Sequence, residues 1–177
     1  MTKTVTPLLL AFFFIACSSA PSPEQQFDKK GVSFTSPAGW KISGEEEYEE
    51  SEESYSGYYL SVEKEGFDDS GIVIISWIDV EIDLDDWQAI CTEEISSNII
   101  YRNTNLKFGP TKAGEINGIP TQSVQASFSL LGLDHEATMH FFHANGKTFD
   151  VMIQQATEDD EKNKEGFATL LESFKVE

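Results

Sequence analysis

The sequence predicts an α+β domain in which helices pack on a largely antiparallel β-sheet. Three observations predict it. Apolar and polar residues alternate at the two-residue period of a half-buried strand in several segments, as in Val124-Gln125-Ala126-Ser127-Phe128. Asn117-Gly118 and Asn145-Gly146 punctuate those segments, and both residue types take the positive φ that a two-residue hairpin turn requires. Two other stretches repeat their apolar residues at helical spacing, one mid-chain and one at the end. The resulting order is strands, helix, strands, helix.

The chain opens with MTKTVTPLLLAFFFIACSSA, in which one charge, Lys3, precedes an apolar run from Leu8 to Ala16. That run is too short to cross a bilayer as a helix, which takes about 20 residues, and it fits the apolar region of a secretory signal. It ends in Phe14-Ile15-Ala16-Cys17, which resembles a bacterial lipobox, although Phe14 stands where leucine is usual. The resemblance implies a diacylated Cys17 thiol, cleavage just before it and acylation of the new amine. Ordinary signal cleavage nearby, with Cys17 incidental, is the other reading. Several acyl chains on one residue would anchor far more firmly than one. Ser18 rather than an aspartate follows the cysteine. By resemblance to enterobacterial lipoproteins this implies the outer membrane, facing the periplasm, rather than the inner membrane or the cell surface.

The expected organisation is a signal peptide over residues 1–16, a lipidated Cys17 with a flexible Ser/Pro-rich tether over 17–26, and one domain over 27–177. Cys91 is then the only other cysteine, so no internal disulfide can form.

Within the domain, Val32 to Thr35 reads as a short strand stopped by Pro37-Ala38-Gly39. Trp40 to about Tyr48 reads as a strand running into a glutamate-rich segment. Tyr58-Leu60-Val62 alternates with Tyr59-Ser61-Glu63, and Ile72 to Val80 is apolar and β-branched enough for a central strand buried on both faces. Asp83 is placed to cap a helix whose stripe comprises Leu84, Trp87, Cys91 and Ile95, with Ile90. On that stripe Cys91 is expected to be a buried, inert thiol rather than a nucleophile. Three alternating strands follow, around residues 124–130, 137–141 and 149–153. Thr157 is expected to cap the last helix, whose stripe is Phe167, Leu170, Leu171 and Phe174.

The segment Val32-Ser33-Phe34-Thr35-Ser36-Pro37-Ala38-Gly39-Trp40, the hairpin Glu115-Ile116-Asn117-Gly118-Ile119-Pro120, and a closing Asn-Gly hairpin, strand and helix ending in Leu171-Glu172-Ser173-Phe174-Lys175 together carry a resemblance. They resemble the PsbP-like superfamily, which includes the extrinsic photosystem II protein, a fungal Ran-binding import factor and small bacterial lipoproteins. The resemblance spans about residues 30–175. It implies an α/β/α sandwich and a non-enzymatic module that binds proteins and supports assemblies. It transfers no catalytic residue, and the glutamate-rich insert has no counterpart in the pattern.

Charge narrows the function classes. A net charge of −19 argues against nucleic-acid binding, which needs a cationic surface. It also disfavours electrostatic adsorption to anionic headgroups, leaving the N-terminal lipid as the expected membrane contact. Between Lys41 and Arg102 the chain has 18 acidic residues and one basic one, Lys64. The densest part is Glu45, Glu46, Glu47, Glu49, Glu50, Glu52 and Glu53. Three readings suit it: a solvated edge where charge blocks edge-to-edge pairing, a face for a cationic partner, or a calcium or other divalent-ion site on Glu45, Glu46, Glu47, Glu49 and Glu50.

Catalytic motifs are lacking. The sequence has no Gly-x-Ser-x-Gly elbow, no His-Glu-x-x-His and no phosphate-binding glycine loop, and nothing in it calls for a cofactor. His140 and His143 sit three apart on one strand and point to opposite faces. His135 and His143 share a face but stand roughly 26 Å apart at strand rise. Asp79, Glu81, Asp83 and Asp85 could line one face of a strand, yet Trp87 and Gln88 break the calcium-loop pattern that would start at Asp83. The reading with most support is a lipid-anchored accessory module with a protein partner in the cell envelope.

Overall fold

The computed structural model describes residues 21–50, 55–66 and 69–177, with Glu50 described in its backbone only. Cys17 and the signal segment, residues 1–16, lie outside the described residues. In chain order the strands are β1 (Gln25–Lys29), β2 (Val32–Ser36), β3 (Trp40–Glu50), β4 (Tyr55–Lys64) and β5 (Ile72–Ile78). Helix α1 (Leu84–Ser97) follows. Next come β6 (Lys107–Phe108), β7 (Lys112–Ile116), β8 (Ile119–Leu130), β9 (Leu133–Ala144) and β10 (Lys147–Ala156). A single 3-10 turn (Thr157–Asp159), helix α2 (Asp160–Ser173) and β11 (Lys175–Val176) close the chain.

The main sheet is antiparallel in the order β3-β4-β5-β10-β9-β8, with β6 and β7 both paired to β8. A small second sheet has the order β1-β2-β11. Apolar side chains of alternate parity leave the main sheet on both faces, so both must be covered. Helix α2 and the small sheet cover one, burying Phe34, Trp40, Leu60, Ile75, Phe167 and Phe174. Helix α1 covers the other through Trp87 and Cys91, which meet Ile78, Met139, Phe141 and Met152. This is the expected α+β sandwich, and Asp83 caps α1 as expected by accepting from the Asp85 and Asp86 amides.

Four hairpins turn on a residue–Gly pair with both φ positive: Lys30-Gly31, Asn117-Gly118, Leu131-Gly132 and Asn145-Gly146. Across the middle of the sheet, Tyr58, Trp77, Phe149 and Phe142 face one another in register on β4, β5, β10 and β9. Their ring centroids are 4.6, 5.6 and 4.9 Å apart in turn, a continuous aromatic rung.

Register also fixes two ends of the sheet. Trp40, Lys64, Ile72, Gln154 and Leu133 lie at or beyond one end; Glu50, Tyr55, Ile78, Thr148 and Ala144 lie at the other. The described chain enters at the first, where Gly39 N–H donates to Ser22 O at 2.8 Å and Ser22 N–H donates to the Glu65 carboxylate at 2.8 Å.

Several expectations need correction. The tether was expected to run free to Gln26, yet β1 starts at Gln25 and pairs with Ser36 and Thr35, because Phe27 stacks on Phe34 at 4.9 Å. The strand starting at Trp40 continues to Glu50, and the strand starting at Ile72 stops at Ile78, leaving Asp79 and Val80 exposed. Ile90 is 50% exposed, since α1 meets the sheet along a narrower stripe than expected. Thr157 does not cap α2; it falls in the 3-10 turn, and Asp159 at the helix start binds Ser70 and Lys162 instead of the helix amides.

Candidate functional site

The glutamate-rich segment is the outer strand of the main sheet, as its poverty in apolar residues implies. Alternation along β3 puts Glu45, Glu47 and Glu49 on the face that carries the small sheet, and Glu46 with Tyr48 on the α1 face. The β1–β2 turn then supplies counter-ions. Lys29 Nζ lies 2.5 Å from Glu45 Oε1, and Lys30 Nζ lies 2.7 Å from Glu47 Oε1. The Tyr58 hydroxyl also donates to Glu45. Lys29 and then Tyr58 hold the Glu45 carboxyl below the usual carboxylate range, while burial and the Glu45 charge push the Tyr58 phenol up.

Glu45 and Glu47 therefore face lysines, Glu46 and Glu49 are exposed, and Glu50 lies on the strand by its backbone. Glu52 and Glu53 lie outside the described residues. Among the described residues no three His, Cys, Asp or Glu side chains come together to hold an ion. The second acidic group is equally dispersed. Asp79 accepts from Ser56 Oγ at 2.6 Å and lies 3.4 Å from Lys147, whereas Asp83 is occupied by its helix cap.

The histidines sit apart. His135 stacks on Phe128 at 5.1 Å, and burial lowers its pKa. His140 Nδ1 shares a hydrogen bond with Thr121 Oγ1 at 3.0 Å, and burial lowers its pKa too. His143 Nε2 meets the Ile82 carbonyl at 2.7 Å. Three of the surface depressions are open and polar, such as the one of about 360 Å³ between Lys107, Gln125, Ser127, Glu136 and Thr138; a fourth is a small apolar crevice between Ile95, Leu106, Phe128 and Met139, and a histidine lines none of the four.

One buried polar centre was not legible in the sequence. Asp150 points from β10 into the apolar layer under α1 and is 8% exposed. Ser76 Oγ donates to it, and Trp87 and Cys91 close over it from the helix, although the indole N–H completes no hydrogen bond there. Burial, aided by the charge of Glu94, pushes its carboxyl up to about 6. Burial and then Asp150 push the Cys91 thiol up, which keeps it protonated and unreactive. The group can take up and release a proton within the core, and Asp150 lines none of these four depressions.

No helix among the described residues is long and apolar enough to cross a membrane. No family model and no curated protein sequence matches the chain. Among solved structures, the chain is similar to cyanobacterial PsbP (CyanoP) from Synechocystis sp. PCC 6803, at 16% identity and a TM-score of 0.52, over 96% of this chain and 99% of that one. It also aligns with LpqN of Mycobacterium tuberculosis, a protein involved in cell envelope biogenesis, at 12% identity and a TM-score of 0.46, over 87% of this chain and 90% of that one. The first likeness establishes a PsbP-like fold and says nothing about activity.

Proposed function

We propose that the chain is a lipid-anchored, extracytoplasmic, non-enzymatic module that supports a protein assembly of the bacterial cell envelope. Cys17 is its lipid attachment site, and residues 1–16 are its signal peptide. The observation that carries the reading is the way the reactive side chains are engaged one by one. His140, His143, Cys91 and Asp150 each meet a structural neighbour, His135 stacks on Phe128 with its Nδ1 left without a hydrogen bond, and none of them lines the four surface depressions described above. What the surface offers a partner is charge held on a strand: Glu46 and Glu49 project from β3, whose outer edge no other strand covers among the described residues. A cationic protein face fits that edge through long-range attraction.

The test has two arms. Labelled palmitate is expected to enter the wild-type protein and not Cys17→Ser. A photo-crosslinker placed at Glu46 or Glu49 in cells is expected to give a discrete adduct that one at Lys112 does not. Absence of palmitate removes the anchor, and absence of an edge-specific adduct removes the partner face. The competing reading, a calcium-binding surface lipoprotein, makes a separate demand. Calcium, and not magnesium or matched sodium chloride, must raise the melting temperature saturably.

A further inference from the structure

Six large apolar side chains are exposed among the described residues, and four of them gather at one end of the sheet. Leu131 is 96% exposed and Leu133 41% exposed, at the β8–β9 hairpin tip. Ile99 is 81% and Ile100 56% exposed, just past the end of α1. Register puts the hairpin tip at the end where the described chain enters, beyond the rung Ala137–Gln154–Ile72–Glu63. Helix α1 runs down to the same end. Tyr101, next to Ile100, donates to Gln154 Oε1 at 2.8 Å, and Thr104 O accepts from Ser129 N–H at 2.7 Å. Val80 and Ile90 are the other two, and they stand singly, as scattered surface apolar residues do.

Leu131 is not placed there by the turn. Its φ is +53°, in the left-handed region that disfavours a side chain of its kind, and the corresponding residues of two other turns are Asn117 and Asn145. Charge is graded along the same axis. From Ile95 to Gly114 the chain has Arg102, Lys107 and Lys112 and no acid. At the chain-entry end Glu65, Asp69 and Asp159 are bound to Ser22, Lys64 and Lys162, and near the hairpin tip Asp134 accepts from Ser129 Oγ and Glu136 from Gln155 Nε2. At the opposite end stand Glu49, Glu81 and Asp85, with Glu47 paired to Lys30, Asp79 to Lys147 and Asp83 in its helix cap.

We propose that this end of the molecule, with Leu131, Leu133, Ile99 and Ile100 at its tip, rests on the surface of a lipid bilayer and turns the acidic end away from it. The proposal rests on Cys17 carrying lipid. The reach agrees. Leu131 stands six residues past Ala137, which is about 20 Å at strand rise. Ser22 lies near the other end of that rung, and the five residues back to Cys17 span at most ~17 Å. Acyl chains at Cys17 and the hairpin tip can therefore meet one plane. The lipid supplies the affinity, so a few shallowly inserted leucines and isoleucines, with Arg102 and Lys107 beside them, need only set the orientation. Headgroup charge repels the far acidic end in the same sense.

The test uses the full-length, cell-processed protein reconstituted into vesicles of phosphatidylethanolamine with a minority of phosphatidylglycerol. An environment-sensitive fluorophore is attached at Leu131→Cys or, at the opposite end, at Asn145→Cys, and quenched by spin-labelled lipid. Quenching several-fold stronger at position 131 is expected. With the fluorophore at Ser129→Cys, the added substitution Leu131→Asn, which suits the turn, is expected to cut quenching several-fold. Vesicle-bound, palmitate-labelled protein whose 131 probe stays in water overturns this inference and leaves the anchor intact. Protein without palmitate overturns the anchor and this orientation with it.

Discussion

Replacing Asp150 by Asn should remove the pH dependence that this one carboxyl imposes on folding. Its acid is buried under α1 and has its pKa raised from an ordinary 3.8 to about 6. A carboxyl with a raised folded-state pKa stabilises the fold fully below its unfolded pKa and loses that stabilisation as pH rises through the folded one. The two values differ by about two units, and at ~1.4 kcal/mol per unit the wild type gives up ~3 kcal/mol between about pH 4 and about pH 7 through this group. Asn keeps an acceptor for Ser76 Oγ and cannot ionise. Urea titrations followed by tryptophan fluorescence should thus find the variant gaining on the wild type by ~3 kcal/mol from about pH 4 to about pH 8, equivalent to ~6–12 °C in melting temperature. Taking the difference between the two proteins cancels the other titrating groups. A flat difference across that range would mean that the acid is not held neutral by burial, and the account of this centre would fail.

Three further outcomes follow from contacts already described. Gly166→Ala should destabilise by up to ~2 kcal/mol in the same urea assay. The helix gains about 1 kcal/mol in propensity, but the new Cβ would lie 2.6 Å from the Trp40 ring, and such overpacking costs ~1–3 kcal/mol. Tyr58→Phe should move the Glu45 carboxyl up towards the ordinary range, since one of the two donors that lower it is lost; carboxyl-carbon NMR reads this directly. Because that pKa is depressed, the stability it contributes is lost as pH falls through it, and the variant should lose it at higher pH. Leu131→Asn should raise stability by ~1 kcal/mol by relieving the left-handed backbone, an outcome that a leucine retained for the fold would contradict.

The strands and helices were legible because the sequence marks them with period. Phe128, Met139 and Phe167 fall on the faces their alternation or stripe assigns. The two Asn-Gly turns were legible for the same local reason, whereas Lys30-Gly31 and Leu131-Gly132 carry the same backbone with residues that do not announce it. Strand β1 was missed because a lone Phe27 among polar residues gives no period, and only its stacking partner on β2 reveals it. The acidic edge was legible as an edge, but its lysine counter-ions come from that missed hairpin, so the pairing could not be foreseen. Asp150 stands between Phe149 and Val151 on an alternating strand, where local pattern alone implies an exposed polar side chain. Its burial depends on α1 closing over that face, which no local pattern encodes.

The aromatic rung across β4, β5, β10 and β9 gives the molecule a built-in optical gauge. Tyr58 sits 4.6 Å from Trp77, close enough for its excitation to pass to the indole. Tyrosine emission from this position should be silent in the native protein. The neighbouring stacks through Phe149 and Phe142 hold all four rings in a fixed chiral array, which near-ultraviolet circular dichroism detects as a sharp signal. A slip of one residue between any two of these strands sends one side chain of the rung to the opposite face. The spectrum would then lose its sharpness while the backbone signal persisted, so a sheet paired in the wrong register could be told from the native one without a structure.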